Sequence, residues 1–289
     1  VENKGFELEL NANLQKRDFN WESQISFSTN KSKVLALNNL NEIVVGADIR
    51  DVGNGQLNAA LLKVGEPMGQ FYGLVFDGIF QTEEEIAVSA QKSAKPGDVR
   101  YRDLNGDGQI TTDTKDREVI GNANPKFFGG FNNTFTWKNI DLNVFLQGSY
   151  GNDILNVARF DLFGLNGLSN NSAEVLNRWT PTNPSNTIPR ANALGTNRTV
   201  SSFLVEDGSY LRLKNISLGY KFSPEILKRA GIGSARVYLA AQNLATITNY
   251  SGFDPDVNRL GSGSGSTQGV DYGVYPSSKT FLLGLNFNF

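Results

Sequence analysis

The sequence lacks both cysteine and histidine in its 289 residues. Without cysteine it has no disulfides, no thiolate metal sites and no cysteine nucleophiles. Without histidine, neither a Ser-His-Asp triad nor a His-ligated catalytic zinc can be built. Enzyme chemistry would have to rest on carboxylates, Lys, Tyr or an external cofactor. The 29 acidic residues show no spacing that marks a catalytic pair, so we name no catalytic residue.

The sequence also lacks an excess of one charge and a long apolar run. Its 27 basic and 29 acidic residues nearly balance, which gives no argument for a nucleic-acid partner. The longest apolar run, Val237 to Ala241, has five residues, whereas a membrane-spanning helix needs about 20. The opening "VENKGFELEL" shows no signal peptide and reads as the middle of a strand. We therefore expect a fragment that lacks its native N-terminus.

Long stretches of the sequence alternate between apolar and polar residues. In "GFELELNANL" one face receives Phe6, Leu8, Leu10, Ala12 and Leu14, and the other receives Glu and Asn. This period of two predicts a β-strand, and the same pattern resumes after "QKRD" to complete a hairpin. It returns in segments 126–137, 140–150, 209–222, 234–247 and 280–289. Leu211 and Leu213 have the opposite parity to Ile216 and Leu218, which predicts a bulge near Lys214 and Asn215.

The predicted strands are longer than those of most soluble proteins. Soluble strands usually have about 5–6 residues, whereas crossing a bilayer takes about 9–11 tilted residues. One face is aromatic and aliphatic and the other is rich in Asn, Gln, Glu and Ser, as expected for lipid outside and water inside. A soluble β-sandwich or a β-helix is the alternative that alternation alone leaves open. We predict an all-β fold, a segment of a transmembrane antiparallel β-barrel.

The connections between strands alternate between short and long. The turn after Trp137 has two residues, and after Phe222 a short helix is predicted, capped by Ser223, begun by Pro224 and ended by Gly231. Long connections are expected at roughly 81–124, 151–207 and 250–278. Outer-membrane barrels have short periplasmic turns and long extracellular loops. If the C-terminal strand ends at the periplasm, all three long connections are extracellular.

The first long connection contains "DLNGDGQITTD", which is typical of a calcium-binding loop. Asp103, Asn105 and Asp107 offer side-chain oxygens at alternate positions, Gly108 suits the turn, and Gln109 offers a carbonyl. The twelfth position, where an acidic ligand is expected, is Thr114. Asp113, one residue before it, and Asp116, two residues after it, are both candidate ligands. We predict a structural Ca²⁺ site, with a metal-free glycine-rich turn as the alternative.

Several segments together resemble one family. They are "GQFYGLVFDGIFQ" (69–81), "PGDVRYRDLNGDGQI" (96–110), "VIGNANPKFFGGFNN" (119–133), "NRWTPTNPSNTIPRA" (177–191), "VEDGSYLRLKNISLGYKF" (205–222), "VYLAAQNLATITNYSGFDPDV" (237–257) and "TFLLGLNFNF" (280–289). In this order they are similar to the C-terminal end of SusC/RagA-type TonB-linked outer-membrane receptors. The resemblance covers most of the chain.

The resemblance implies a 22-stranded barrel with an N-terminal plug, in the outer membrane of a Gram-negative bacterium of the Bacteroidota. Residues 1–289 would supply about nine C-terminal strands of that barrel, with the plug and the TonB box upstream. The complete protein would import large nutrients, glycans or peptides, with TonB and a SusD-like surface lipoprotein as partners and no enzyme activity. In the calcium loop, "DREVIG" suggests that Asp116 is the closing ligand.

The barrel interpretation assigns each face to an environment. Lipid should contact Phe6, Leu8, Leu10, Phe131, Phe135, Leu142, Val144, Phe287 and Phe289. The lumen should contact Glu7, Glu9, Asn286 and Asn288. The final aromatic, Phe289, with Phe287 and Leu285 on its face, resembles the recognition signal for outer-membrane barrel assembly.

Three aromatic residues of the long loops are candidates for contact with a substrate or with the lid lipoprotein. Trp179 has a face suited to stacking on a sugar, and Phe160 and Phe163 lie in a similar loop. The alternative for each is that it anchors its own loop. Glu7, Glu9 and Glu22 receive no specific role, and "GSGSGS" (261–266) reads as a loop tip. A calcium-stabilised adhesin or glycan-binding protein, or a carboxylate-based outer-membrane enzyme, remains an alternative to an importer.

Overall fold

The computed structural model describes residues 1–47, 57–165, 170–193, 199–228, 231–257 and 268–288. Its strands are β1 (Glu2–Lys16), β2 (Phe19–Lys33), β3 (Glu42–Ala47), β4 (Leu57–Lys63), β5 (Gln70–Leu74), β6 (Phe76–Ile79), β7 (Val99–Tyr101), β8 (Arg117–Asn122), β9 (Phe127–Trp137), β10 (Ile140–Tyr150), β11 (Asp153–Asn156), β12 (Val205–Asp207), β13 (Tyr210–Lys221), β14 (Ser234–Thr248), β15 (Val270–Asp271) and β16 (Thr280–Asn288). Its helices are α1 (Glu83–Val88), α2 (Arg159–Leu162) and α3 (Pro224–Lys228), with 3₁₀ turns at Ala173–Asn177 and Ser202–Leu204.

The long strands form one antiparallel sheet of seven strands in the order β1-β2-β9-β10-β13-β14-β16. Strands that follow one another along this sheet are neighbours in space, as in an up-and-down barrel wall. The turns after β1, β9 and β13 lie at one end, where Arg17 and Lys138 take left-handed φ angles of 49° and 51°. The long connections leave from the opposite end. This arrangement confirms the predicted separation of short turns from long loops.

The two faces of the sheet are divided as the alternation predicts. Register pairs Leu8 with Phe27 and Leu10 with Ile25, and carries this apolar face across the sheet to Leu239 and Leu283. Phe281 and Leu283 are each 72% exposed, which water would disfavour but lipid would not. The residues predicted to contact lipid share this face, and Glu7, Glu9, Asn286 and Asn288 share the other. Phe289 lies outside the described residues.

The predicted bulge is confirmed. The register between β13 and β14 shifts between Leu213 and Asn215, and the register between β10 and β13 shifts between Phe145 and Leu146. Lys214 is the extra residue of β13 at this point. Because of it, Leu211 and Leu213 lie on the same apolar face as Ile216 and Leu218, despite their opposite parity in the sequence. A parity change in the sequence therefore marked a real irregularity of the ladder.

Aromatic side chains border the apolar face at both ends of the sheet. At the loop end, Phe127 lies between Phe27 and Tyr150, with ring centroids 5.4 and 5.1 Å away. At the turn end, Tyr220 and Phe222 are 5.4 Å apart, near Trp137. From Phe127 to Trp137, at about 3.4 Å per residue and a tilt of about 40°, the height is about 26 Å. The apolar band of an outer-membrane barrel is about 25 Å tall, so the two borders match its interfaces.

Asn133 is a polar residue on the apolar face, and its side-chain oxygen has a hydrogen-bond partner there. Asn133 is buried on β9, and its Oδ1 accepts a hydrogen bond of 3.0 Å from the Trp21 indole on β2. Trp21 in turn stacks on Phe135 with an interplanar angle of 4°. The amide is thus covered by aromatic surface rather than offered to lipid, which avoids the cost of an unpaired polar group in hydrocarbon.

The remaining strands lie in the long connections, and this corrects two expectations. Among the described residues the main sheet has seven strands, where about nine were expected, because β3 to β8 form separate small sheets. The first long connection spans 34–126 rather than 81–124, since β2 pairs directly with β9. In the described part of the chain, none of the helices has both the length and the apolarity needed to cross a membrane.

Candidate functional site

The polar face of the sheet carries a ladder of amides across neighbouring strands. The Asn143 amide on β10 donates to Asn132 Oδ1 at 2.9 Å and to Thr134 Oγ1 at 3.0 Å on β9. The Asn215 amide on β13 donates to Asn143 Oδ1 at 3.0 Å. On β1, Glu9 accepts from Gln24 at 2.8 Å, so the predicted lumen carboxylate is part of the same polar wall. A wall of amides and carboxylates presents donors and acceptors to a hydrated solute.

Nearer the turns, the polar face is held by an ion pair. Arg236 donates to Asp141 at 2.9 Å, and this bridge crosses over Gly219, where a Cβ would lie only 2.5 Å from the guanidinium. Gly219 therefore leaves the space that the ion pair occupies. Beside it, the Tyr238 ring covers Gly284 on β16, whose Cβ position lies within 2.2 Å of the ring. Arg236 stacks over that ring at 4.8 Å.

The long connections pack together into a loop lobe at the loop end of the sheet. One buried apolar cluster joins the connection between β2 and β9 to the two later ones: Ala59, Phe71, Val99, Leu155, Val157, Phe160, Phe163, Val175, Ile188, Val200, Phe203, Leu204 and Val270. The parallel pairing of β11 with β15 and the antiparallel pairing of β11 with β12 add backbone hydrogen bonds. These buried apolar side chains hold the three connections together as one packed body at the loop end of the sheet.

Arg159 joins two parts of the loop lobe. Its guanidinium lies 4.4 Å from the centre of the Phe203 ring and 4.9 Å from that of Phe163, and it donates to the Phe203 carbonyl at 2.9 Å. Glu206 lies 3.6 Å away and also accepts from the Ser251 amide at 2.8 Å. The two aromatic faces, the carbonyl and the nearby carboxylate offset part of the cost of burying this cation, while its Nε has no hydrogen-bond partner among the described residues.

Arg212 ties the last long connection to the sheet. It projects from the polar face of β13, and its side chain is 2% exposed and paired with Asp254, which is 7% exposed. Arg212 also donates to Thr246 at 3.0 Å, while Asp254 accepts from the Ser277 amide at 3.0 Å. Burial would raise the pKa of Asp254, but hydrogen bonds from Asp256, Ser277 and Arg212 hold it below its ordinary value. This pair could not be predicted from the sequence, because no pattern distinguishes a single Arg on the polar face of a strand from its neighbours.

The acidic loop has the backbone arrangement that its sequence predicts. Asp103 accepts from the Gly106 and Gly108 amides at 2.7 and 2.8 Å, and Gly106 and Gly108 have φ angles of 73° and 78°. Asn105 accepts from the Asp107 amide at 3.0 Å, and Asp107 accepts from the Gln109 amide at 2.9 Å. The side chains of Asp103, Asn105 and Asp107 therefore each stabilise the turn by accepting from a backbone amide within it.

Asp116 and Asp113 differ in their relation to this loop. Asp116 is fully buried, and its carboxylate accepts from the Leu104 amide at 3.2 Å and the Thr111 amide at 2.8 Å. Burial would raise the pKa of Asp116, but these hydrogen bonds together hold it below its ordinary value. Asp113 accepts from Thr111 and the Lys115 amide instead. Within the described ranges, no three acidic side chains converge on a point as a formed metal centre would require.

The three candidate aromatic residues lie inside the loop lobe. Phe160 and Phe163 are 1% and 5% exposed and belong to its core, which favours the alternative that they anchor the loop. Trp179 is half-buried, donates to Gln81 Oε1 at 2.9 Å and covers Gly97, whose Cβ position lies 2.4 Å from the ring. Its ring therefore closes one loop onto another. The segment 261–266 lies outside the described residues.

Comparison with known proteins gives relatives along the whole chain. It is 37% identical to TonB-dependent receptor P3 and to TonB-dependent receptor P26 of Formosa agariphila, and 28% identical to TonB-dependent receptor SusC of Bacteroides thetaiotaomicron. Each alignment covers all of this chain, but only 29%, 29% and 26% of these receptors. No protein-family model matches.

The solved structures agree. The structure of the RagAB peptide transporter superposes with a TM-score of 0.76 at 25% identity, over 99% of this chain and 29% of that one. The RagAB peptide importer in its closed-closed state gives a TM-score of 0.74 at 26% identity.

Seven long antiparallel strands, apolar outside and polar inside, define a segment of an outer-membrane-type β-barrel wall. In sequence and in structure, the chain is similar to part of the SusC/RagA-type TonB-linked receptors. It spans less than a third of the length of the receptors it matches.

Proposed function

We propose that the chain is the C-terminal part of the barrel of an outer-membrane importer of large nutrients. The observation that carries the proposal is the combination of a polar inner wall with a packed loop lobe at the loop end of the same sheet. The lobe would form part of the entrance and the amide ladder part of the lumen lining. No reaction is proposed for the chain, since the relatives are named as receptors and transporters.

The proposed partners are those expected for a TonB-dependent receptor of the SusC/RagA type. A SusD-like surface lipoprotein would close the entrance over the loop lobe, and TonB would drive import through a plug domain of the complete receptor. The substrate would be a glycan or a peptide. A peptide is named for the RagAB structures, and the polar wall of amides and carboxylates suits either class. The host would be a member of the Bacteroidota.

Import is tested with the full-length receptor in its own bacterium. Cells expressing it are given fluorescent oligosaccharides and peptides of increasing size, with and without a functional TonB. We expect receptor-dependent, TonB-dependent accumulation of one of the two classes. Surface binding that is the same without TonB, and is never followed by accumulation, would favour the adhesin alternative. Breakdown of the substrate outside the cell by the purified receptor would favour an enzyme.

We further propose that the acidic loop binds a structural Ca²⁺ outside the cell. Asp103, Asn105 and Asp107, with the Gln109 carbonyl, would supply hard oxygen ligands, and Asp116 would close the site by turning from Thr111 toward the ion. The charges of Asp103 and Asp107 would then be neutralised within a polar turn that has little apolar area to order it. Asp113 is set aside as a ligand, because Thr111 and Lys115 already hold its carboxylate.

Calcium removal should loosen this loop. In the full-length receptor, chelation is expected to raise amide hydrogen exchange in residues 103–111, with half-restoration at Ca²⁺ concentrations of about 10⁻⁴–10⁻³ M. Asp107→Asn should shift that midpoint to higher calcium, whereas Asp113→Asn should leave it in place. Exchange that is the same in calcium and in chelator would contradict the proposal.

A further inference from the structure

The apolar face of the main sheet contains a groove at its loop end. The groove has a volume of about 600 Å³. Its floor is a pair of glycines, Gly129 on β9 and Gly148 on β10, which lie opposite each other in the register. Phe27, Phe127 and Tyr150 form one wall and Leu211 and Ile247 the other, all on the apolar face. The pairing of two glycines removes the side chains that would otherwise fill this part of the wall.

The position of the groove decides what can reach it. It lies at the aromatic border of the loop end, so in the membrane it opens toward the outer leaflet. The side chains there are left in contact with lipid: Ile247 is 73% and Leu211 46% exposed. The groove is continuous with the apolar band below it, through Phe131 and Leu146. A chain that enters from the bilayer therefore stays in apolar surroundings along its whole length.

The upper rim of the groove is polar. Asp207, Ser209, Thr248 and Asn249 line it. Asp207 accepts from the Ser209 hydroxyl at 2.6 Å, and hydrogen bonds from Ser209 hold the pKa of Asp207 below its ordinary value. An ionised carboxylate with hydroxyl and amide neighbours accepts hydrogen bonds from sugar hydroxyls and repels an uncompensated anion. The rim is thus suited to a hydroxyl-rich headgroup placed above an apolar tail.

We propose that the groove binds one acyl chain of an outer-leaflet glycolipid, with its sugar headgroup at the Asp207 rim. The width of the groove, set by two facing glycines and two apolar walls, fits a linear chain. Its volume is in the range of sites that bury a small ligand, about 300–1,000 Å³. The bound lipid fills the recess in the wall and places a headgroup against the base of the loop lobe, next to Gly208 and Tyr210.

The test uses the full-length receptor, purified in mild detergent and examined by native mass spectrometry with added hexa-acyl lipid A from which the phosphates have been removed, because the Asp207 rim repels an uncompensated anion. Gly148→Phe projects a ring into the groove, where its Cβ would lie 3.1 Å from the Tyr210 carbonyl oxygen and 3.5 Å from Leu211 Cδ1. This variant is expected to lower the retained lipid by about tenfold or more. Leu239→Phe, on the same apolar face but outside the groove, should retain lipid as the parent does.

A second groove variant and a competition measurement also test whether the groove binds an acyl chain. Ile247→Ser alters a wall residue that is 73% exposed, so it should weaken retention without affecting folding. The deacylated sugar portion of lipid A should not compete with the intact lipid, because the acyl chain fills the groove. Equal retention in Gly148→Phe and Leu239→Phe would overturn the proposal. So would competition by the deacylated sugar, or loss of a receptor dimer in Gly148→Phe with lipid retention unchanged, which would assign the groove to a second copy.

Discussion

Ile216→Arg is expected to destabilise the full-length receptor by about 2–4 kcal/mol, whereas Ser217→Arg should have little effect. The two positions are adjacent near the middle of β13. Ile216 pairs with Val144 and Ala241 on the apolar face, and Ser217 pairs with Asn143 and Ala240 on the opposite face. A guanidinium at the first position must leave water for hydrocarbon, whereas at the second it joins a hydrated wall.

The measurement is equilibrium unfolding of the two variants and the parent in lipid vesicles, with outer-membrane abundance as a cellular readout. Both variants introduce the same side chain into the same strand, so the cost of placing Arg in a strand is common to both. Equal costs at both positions would contradict the assignment of faces. A larger cost for Ser217→Arg would reverse it.

The barrel strands could be predicted from the sequence because their two faces meet different environments. A strand with lipid on one face and water on the other must alternate over its full length, so β1, β9 and β16 were visible without any partner. The bulge in β13 was visible for the same reason: an inserted residue inverts parity on one side of it. These features follow from local pattern alone.

The loop lobe was much less visible, since its strands have no such asymmetry. All five residues of β5 are buried, so "QFYGL" carries no alternation. The core of the lobe joins Phe71 to Leu155 and Val270, which are far apart in the chain. No local pattern encodes contacts of that range. This is why the first long connection was predicted too short and the main sheet two strands too large.

The acidic loop shows what spacing can and cannot predict. The spacing of Asp103, Asn105 and Asp107 indicated a calcium loop or a glycine-rich turn, and in the structure each of these side chains accepts from a backbone amide two to five residues later. Spacing did not reveal that Asp116 would be fully buried or that Asp113 would be held by Thr111. Those facts depend on how residues 111–116 fold back over the loop, and the metal itself stays a prediction.

Arg212→Met is expected to release the last long connection from the sheet. The substitution leaves Asp254 buried without its partner, and breaking a buried pair in this way costs about 3–5 kcal/mol. Asp254 would keep its hydrogen bonds from the Asp256 and Ser277 amides, but these also lie in the connection that Arg212 anchors. The free energy of local opening of residues 250–257 should fall, because their main tie to β13 is gone.

The measurement is amide hydrogen exchange in the full-length receptor. Exchange in residues 250–257 should accelerate by roughly two to three orders of magnitude, because each 1.4 kcal/mol is about tenfold. Exchange at the turn end of β13, near Leu218, should stay unchanged. The double variant Arg212→Met/Asp254→Asn removes both charges from the buried site and keeps a side-chain oxygen that can accept from a backbone amide, so it should recover part of the protection. If the single and double variants opened equally, lost packing around Arg212 rather than an unpaired charge would be responsible. If neither opened, the connection would be held by the loop-lobe core alone.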